Sequence, residues 1–212
     1  MLMLNLETQR LYLLKRLGVL KFLSVIEALL VGFLAFVFIK DVMIAFALAI
    51  FVGVFFFRLT SKRLINAKKE LEFSILNYFL ARHKAHFTKK RLLQEEFTRL
   101  ELSESLKEFR CGEGIKFKAF TLYDVKFKDE LGHFFCGICL MAHQAINGGK
   151  EEQIYQKLKE KSFEISSYFA RDKNALIACL QNPFFVDFKK SVEENLKTMQ
   201  GNLEKLNSLF SD

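Results

Sequence analysis

Apolar positions are unevenly spread along this chain. Residues 22–39 read FLSVIEALLVGFLAFVFI and residues 42–57 read VMIAFALAIFVGVFFF, with only Lys40 and Asp41 between them. A helix needs about 17–25 apolar residues to cross a bilayer core. The first run meets that length and extends back to Leu17. The second reaches it when Arg58 snorkels to the interface and Leu59 joins the run. A charged pair held at mid-bilayer is costly, so the short connection predicts an antiparallel transmembrane hairpin over residues 19–59. The competing arrangement is one interfacial helix and one span.

The flanks orient the hairpin. Arg10, Lys15, Arg16 and Lys21 precede it, and Arg58, Lys62, Arg63, Lys68 and Lys69 follow it, whereas the turn holds one Lys and one Asp. The positive-inside rule then places both termini in the cytoplasm of a two-pass protein of the bacterial inner membrane. A cleaved signal peptide is not expected, because no small-residue cleavage site follows the first run and a second run succeeds it. Glu27 lies inside the first run, near the depth of Lys21 and Arg58. It reads as a structural ion pair or an interfacial snorkeller, with a proton or partner role as the alternative. Gly32 and Gly53 are places where the two helices can approach closely.

Beyond the hairpin the period of the apolar residues divides the chain. Leu2, Leu4, Leu6, Leu11, Leu13, Leu14 and Leu17 suit an amphipathic segment over 1–18 that lies on the membrane or runs into the first span, with a bend at Gly18, or else docks on protein. Residues 60–110 contain no Pro or Gly except beyond their ends, and helical spacing predicts a stalk there. A break is expected near residues 86–88, with Thr88 capping the second piece. From Ile115 to Phe127 apolar residues alternate with polar ones, and residues 134–142 form a continuous apolar run; both read as strands. Turn signals stand at residues 129–132 and 147–149. Residues 151–161 favour a helix, 163–169 a third strand, and 175–180 a fourth strand or a short helix. Asn182-Pro183 reads as a helix start. From there Phe185, Val192, Leu196, Met199, Leu203, Leu206 and Phe210 form a heptad-like stripe, with Lys189 out of phase. That stripe is either core or a surface for self-association or a protein partner. The predicted fold is thus an α+β membrane protein: hairpin, helical stalk, and over 111–212 a cytoplasmic domain with a small, mostly antiparallel sheet and a C-terminal amphipathic helix.

Composition changes this picture little. The net charge of +8 is what positive-inside flanks and anionic lipid require, and nucleic acid is not expected as a partner. The basic run Arg82, His83, Lys84, His86, Lys89, Lys90, Arg91 reads first as a solvated face, with contact to lipid headgroups or nucleic acid as the alternative. Four Cys in a mostly cytoplasmic chain are not expected to be disulfide staples. The one dense constellation is His133, Cys136, Cys139 and His143. Zinc takes thiolate and imidazole, and CxxC is half of many structural zinc sites. Against this, positions i and i+3 of a strand face opposite ways, and a redox CxxC belongs at a helix start. Packing is therefore the first reading of this stretch, and a metal- or thiol-dependent site on those four residues is the alternative. No phosphate loop, nucleophile elbow or HExxH is present, so no catalytic residue and no cofactor is expected.

Residues 108–144 (EFRCGEGIKFKAFTLYDVKFKDELGHFFCGICLMAHQ) and 169–180 (FARDKNALIACL) resemble strand pairs of an uncharacterised bacterial family. Its members carry two N-terminal transmembrane helices, a helical link and a cytoplasmic α+β domain. The centre of the resemblance is Phe135-Cys136-Gly137. It implies the topology read above and brings no catalytic residues. Together these features point to a membrane-tethered interaction module without catalysis, such as an accessory subunit of a bacterial envelope complex.

Overall fold

The structure is a computed structural model that describes residues 2–99, 106–128, 132, 134–143, 169–172, 175–178 and 182–210. Statements of absence below concern these residues. The fold is α+β, with two long apolar helices and an antiparallel sheet. It divides into two compact units, Met1–Ile75 with Phe188–Val192, and Leu76–Asp187 with Glu193–Asp212.

In the first unit, α1 spans Leu2–Ile39 and α2 starts at Val42 and runs to Arg82. The two charged residues between the apolar runs make the turn. Lys40 takes a left-handed φ of 56° and its N–H donates to the Phe36 carbonyl at 2.8 Å. The Asp41 carboxylate then accepts from the N–H groups of Met43 (2.8 Å) and Ile44 (3.2 Å), an N-cap that satisfies two otherwise orphaned donors. The helix pair closes on small residues. A Cβ added at Gly53 would lie 2.8 Å from the Ala28 Cβ, and one at Gly32 would lie 2.9 Å from the Ala49 Cβ. Ser24 and Ala45 are buried in the same seam. Backbones this close leave no room for a larger side chain, so Gly53→Leu is expected to lower hairpin stability by about 1–3 kcal/mol. A thermal melt of the purified protein in detergent measures it, and an unchanged midpoint would contradict this packing.

At 1.5 Å per residue α1 is about 57 Å long, far beyond a bilayer core of about 30 Å. The helix is continuous through Gly18, so residues 1–18 run directly into the first apolar run, one of the two arrangements expected for them. Leu6, Arg10 and Leu13 are buried, and Leu13 shares a hollow with Ala67 and Leu71 of α2. Of the leucine stripe, Leu6 and Leu13 are thus buried by the chain itself, whereas Leu2, Leu4 and Leu11 stay exposed.

In the second unit the expected stalk is shorter than its periodicity suggests. The helix ends at Arg82, and residues 86–88 are strand β1 (His86–Thr88), not a helix break. Thr88 caps no helix: its hydroxyl accepts from the Lys90 N–H at 2.9 Å. Among the described residues a helix of one turn and a little more follows, α3 at Gln94–Thr98, and then β2 at Glu108–Cys111. The reason is Leu92 and Phe97, which are drawn into the core beneath the sheet instead of continuing a helical face.

The alternation over residues 115–127 is two strands, β3 (Gly114–Lys116) and β4 (Phe120–Lys128), folded back at Phe117, whose N–H donates to the Phe120 carbonyl at 2.8 Å. Gly112 and Glu113 separate β2 from β3. Gly114 is required there, because a Cβ would strike the Tyr123 ring and the Thr88 methyl. β5 (Phe134–Ala142) has the predicted limits. β6 (Phe169–Asp172) and β7 (Ala175–Ala178) complete a sheet ordered β1-β3-β4-β5-β7-β6, with β2 beside the far half of β4 and every pair antiparallel. Expectations for residues 129–131, 147–149, 151–161 and 163–168 lie outside the described residues.

Both faces of the central strands are covered. On one face Tyr123, Val125, Phe127, Phe135 and Cys139 pack with Leu92 and Phe97. Phe97 meets Phe127 at 5.5 Å between ring centroids, and Phe127 stacks on Phe135 at 4.6 Å. On the other face Phe120, Leu122, Ile138 and Leu140 are buried. Phe117 bridges Phe120 (5.0 Å) and Phe184 (4.9 Å), which in turn meets Phe79.

The C-terminal helix starts later than predicted. Asn182 caps no helix; its side-chain oxygen closes a tight turn by accepting from the Phe184 N–H at 2.9 Å. Residues 184–188 then run as a strap that buries alternate residues Phe184, Val186 and Phe188 and leaves Phe185 59% exposed. Helix α4 begins at Val192 and ends at Phe210. This explains why Lys189 was out of phase and removes Phe185 from the stripe. Val192, Leu196, Met199, Leu203 and Leu206 are buried by the chain itself. Two helix residues a heptad apart hold the strap: Asn195 exchanges two hydrogen bonds with the Asp187 backbone, and Asn202 donates to the Pro183 carbonyl at 2.8 Å.

Candidate functional site

Strand geometry decides the cysteine–histidine stretch. In the β4–β5 register Cys136 stands opposite Lys126 and Cys139 opposite Tyr123. Three residues apart on a strand, the two thiols face opposite sides of the sheet. Cys136 is exposed, whereas Cys139 is 0% exposed within the apolar core. That burial pushes the Cys139 thiol up to about 12, helped by Cys111, so it stays protonated and inert at neutral pH. His143 is just past the strand. Its Nδ1 lies 3.0 Å from the Lys118 carbonyl, which can only accept, so Nδ1 carries the proton. The Nε2 atom then faces the Thr121 hydroxyl at 2.9 Å. Both ring nitrogens are therefore engaged by protein. His133 is outside the described residues. The structure does not bring Cys136, Cys139 and His143 together, and among the described residues no group of three potential metal ligands converges. His83, just past the end of α2, packs against Phe79 at 4.5 Å. Burial, and then the charge of Arg82, lower the His83 pKa.

A clear difference in reactivity follows. A thiol reagent such as iodoacetamide is expected to modify Cys136 in the folded protein and to reach Cys139 only after denaturation. Peptide mass mapping checks this, and equal labelling of the two would refute the burial of Cys139.

The strongest polar arrangement in the first unit was not read from the sequence. Arg10 is buried on α1. Its Nε donates to the Glu7 carboxylate at 3.0 Å and its Nη1 to the Phe188 carbonyl at 3.2 Å. Glu7 also accepts from the Val192 N–H at 2.8 Å, capping α4 from a helix more than 180 residues away in sequence. The Arg10 hydrogen bond, opposed by burial and reinforced by Val192, holds the Glu7 carboxyl below the usual range. Beside it the Lys68 ammonium lies 5.2 Å from the centre of the Phe188 ring. Counted among the flanking charges, Arg10 looked like a positive-inside residue. The available signal was its place between Leu6 and Leu13 on one helical face.

Two exposed surfaces stand out. On the hairpin none of the most apolar stretch of α1 is buried and only 6% of that of α2 is, and Phe38 at the tip is 82% exposed. Glu27 is exposed too and makes no ion pair among the described residues, so of its two structural readings the ion pair does not form. On the sheet, Arg110, Lys126 and Cys136 line up across β2, β4 and β5, next to Glu108, Lys128 and Phe134. Phe134 is 70% exposed there. No protein-family model matches the chain, and comparison with curated proteins and with solved structures gives no match either.

Proposed function

We propose that the chain is a two-pass protein of the bacterial inner membrane whose hairpin tethers a non-catalytic cytoplasmic α+β interaction module, an accessory subunit of an envelope complex. The observation that carries this reading is the outward apolar surface of α1 and α2. It extends over 22–39 on one helix and 42–59 on the other, about 27 Å of helix, close to the thickness of a bilayer core. A water-soluble protein rarely exposes so large a continuous apolar surface. Cations flank it at the end where both helices continue, and few charges lie at the turn, which supports cytoplasmic termini.

On the sheet domain, exposed Arg110 and Phe134, in neighbouring cross-strand rows of β2, β4 and β5, support the interaction role, since exposed aromatic and Arg side chains are the usual anchors of protein interfaces. Phe134→Asp is expected to abolish crosslinking to a partner while leaving the protein in the membrane fraction. The test is in-cell crosslinking and pull-down in mild detergent at native expression level. Recovery as a lone monomer would refute the interaction role. Reporter fusions at residues 1 and 212 should both report cytoplasm, and a periplasmic signal from either would refute the topology. The opposed thiols and engaged His143 leave no observation that favours the metal- or thiol-dependent alternative.

A further inference from the structure

Where the helix pair leaves its apolar zone, residues of α1 and α2 line an open groove of about 650 Å³, in the size range of small-ligand sites. Its depth is set by its lining. Leu20 lies two residues before the apolar run of α1, and Thr60 directly follows that of α2. Val19, Leu20 and Leu64 make the floor apolar. The charged lining is of one sign: Lys15, Arg16 and Arg63, with no acidic side chain. Arg16 is held in place by Tyr12, whose ring centre lies 4.7 Å from the guanidinium carbon. The Thr60 hydroxyl is turned back onto the Phe56 carbonyl at 2.8 Å and does not compete for the cations.

We propose that this groove is a binding site for an anionic phospholipid of the cytoplasmic leaflet. Arg16, Arg63 and Lys15 would grip the headgroup phosphate, and the start of the acyl chains would lie along Val19, Leu20 and Leu64. Arginine forks suit phosphate oxygens, and a basic pocket between helices at the cytoplasmic interface has the charge and position such a lipid requires. An apolar floor continuous with the spans selects a lipid over a soluble phosphate, which would gain nothing from it. The inference rests on the hairpin being inserted in the membrane.

The test uses the full chain reconstituted in phosphatidylcholine vesicles, with spin-labelled phosphatidylglycerol or spin-labelled phosphatidylcholine as probe. Wild type should restrict the anionic probe preferentially. Arg63→Gln should lower that preference on the order of fivefold, and Lys15→Gln with Arg16→Gln and Arg63→Gln should abolish it. Removing three cations elsewhere, Lys116→Gln with Lys118→Gln and Lys197→Gln, should leave it unchanged. Equal losses in the two triple variants, or no preference in wild type, would overturn the proposal, because the effect would then be general charge or absent. Displacement of the probe by millimolar inorganic phosphate would also overturn it, in favour of a soluble anion. A chain that neither needs detergent nor floats with neutral vesicles would refute the membrane reading itself, a result distinct from insertion without lipid preference.

Discussion

Deleting residues 184–212 is expected to leave a protein that aggregates or is degraded. The stripe on α4 is core: Val192, Leu196, Met199, Leu203 and Leu206 are all buried, and the deletion also takes Phe184, which joins Phe79 and Phe117 beneath the sheet. Each large apolar side chain returned to water costs about 1.5–3 kcal/mol. Five of them together cost about 7–15 kcal/mol, as much as the roughly 5–15 kcal/mol stability of an ordinary domain. Size-exclusion chromatography of the detergent-solubilised deletion mutant checks this. A monodisperse, protease-resistant product would show that α4 is dispensable to the fold and available to a partner.

Arg10→Ala is expected to cost about 3–5 kcal/mol, the usual penalty for breaking a buried charge network by removing one member. The change leaves the Phe188 carbonyl without its guanidinium donor and Glu7 without its counter-charge. Arg10→Lys should rescue only part of it, because an ammonium cannot reproduce the fork that reaches Glu7 and Phe188 at once. Limited proteolysis around residues 184–192 and a thermal melt are the readouts, and a melt within experimental error of wild type would refute the role. The same network has a pH signature. The Glu7 pKa is lower in the folded state than in the unfolded chain, so its stabilisation is complete above the unfolded value and is lost as pH falls through the folded one. Stability should therefore drop on the acid side of the ordinary carboxylate range, and Glu7→Gln should be both less stable at neutral pH and flatter across that limb.

Local signals in the sequence were sufficient for the elements that satisfy themselves. Two apolar runs around Lys40 and Asp41 determine a helical hairpin, because both the turn conformation and the cap come from those two residues. Period-two alternation and a continuous apolar run determine β4 and β5, the latter to its end residues. The opposite orientation of Cys136 and Cys139 also follows from strand geometry alone. Tertiary structure decided the rest, because the deciding partners are remote. Residues 86–99 have helical spacing, yet pairing of β1 with β3 and burial of Leu92 and Phe97 outweigh a modest local propensity. Asn182-Pro183 has the chemistry of a helix start, yet the strap below it is extended because Phe184, Val186 and Phe188 all find apolar surfaces at a spacing of two. The first turn of α4 takes its capping acceptor from Glu7, a residue no local motif could supply. A charged residue such as Arg10 reads as solvated until a distant backbone carbonyl arrives to accept its hydrogen bond, and only the folded chain delivers one.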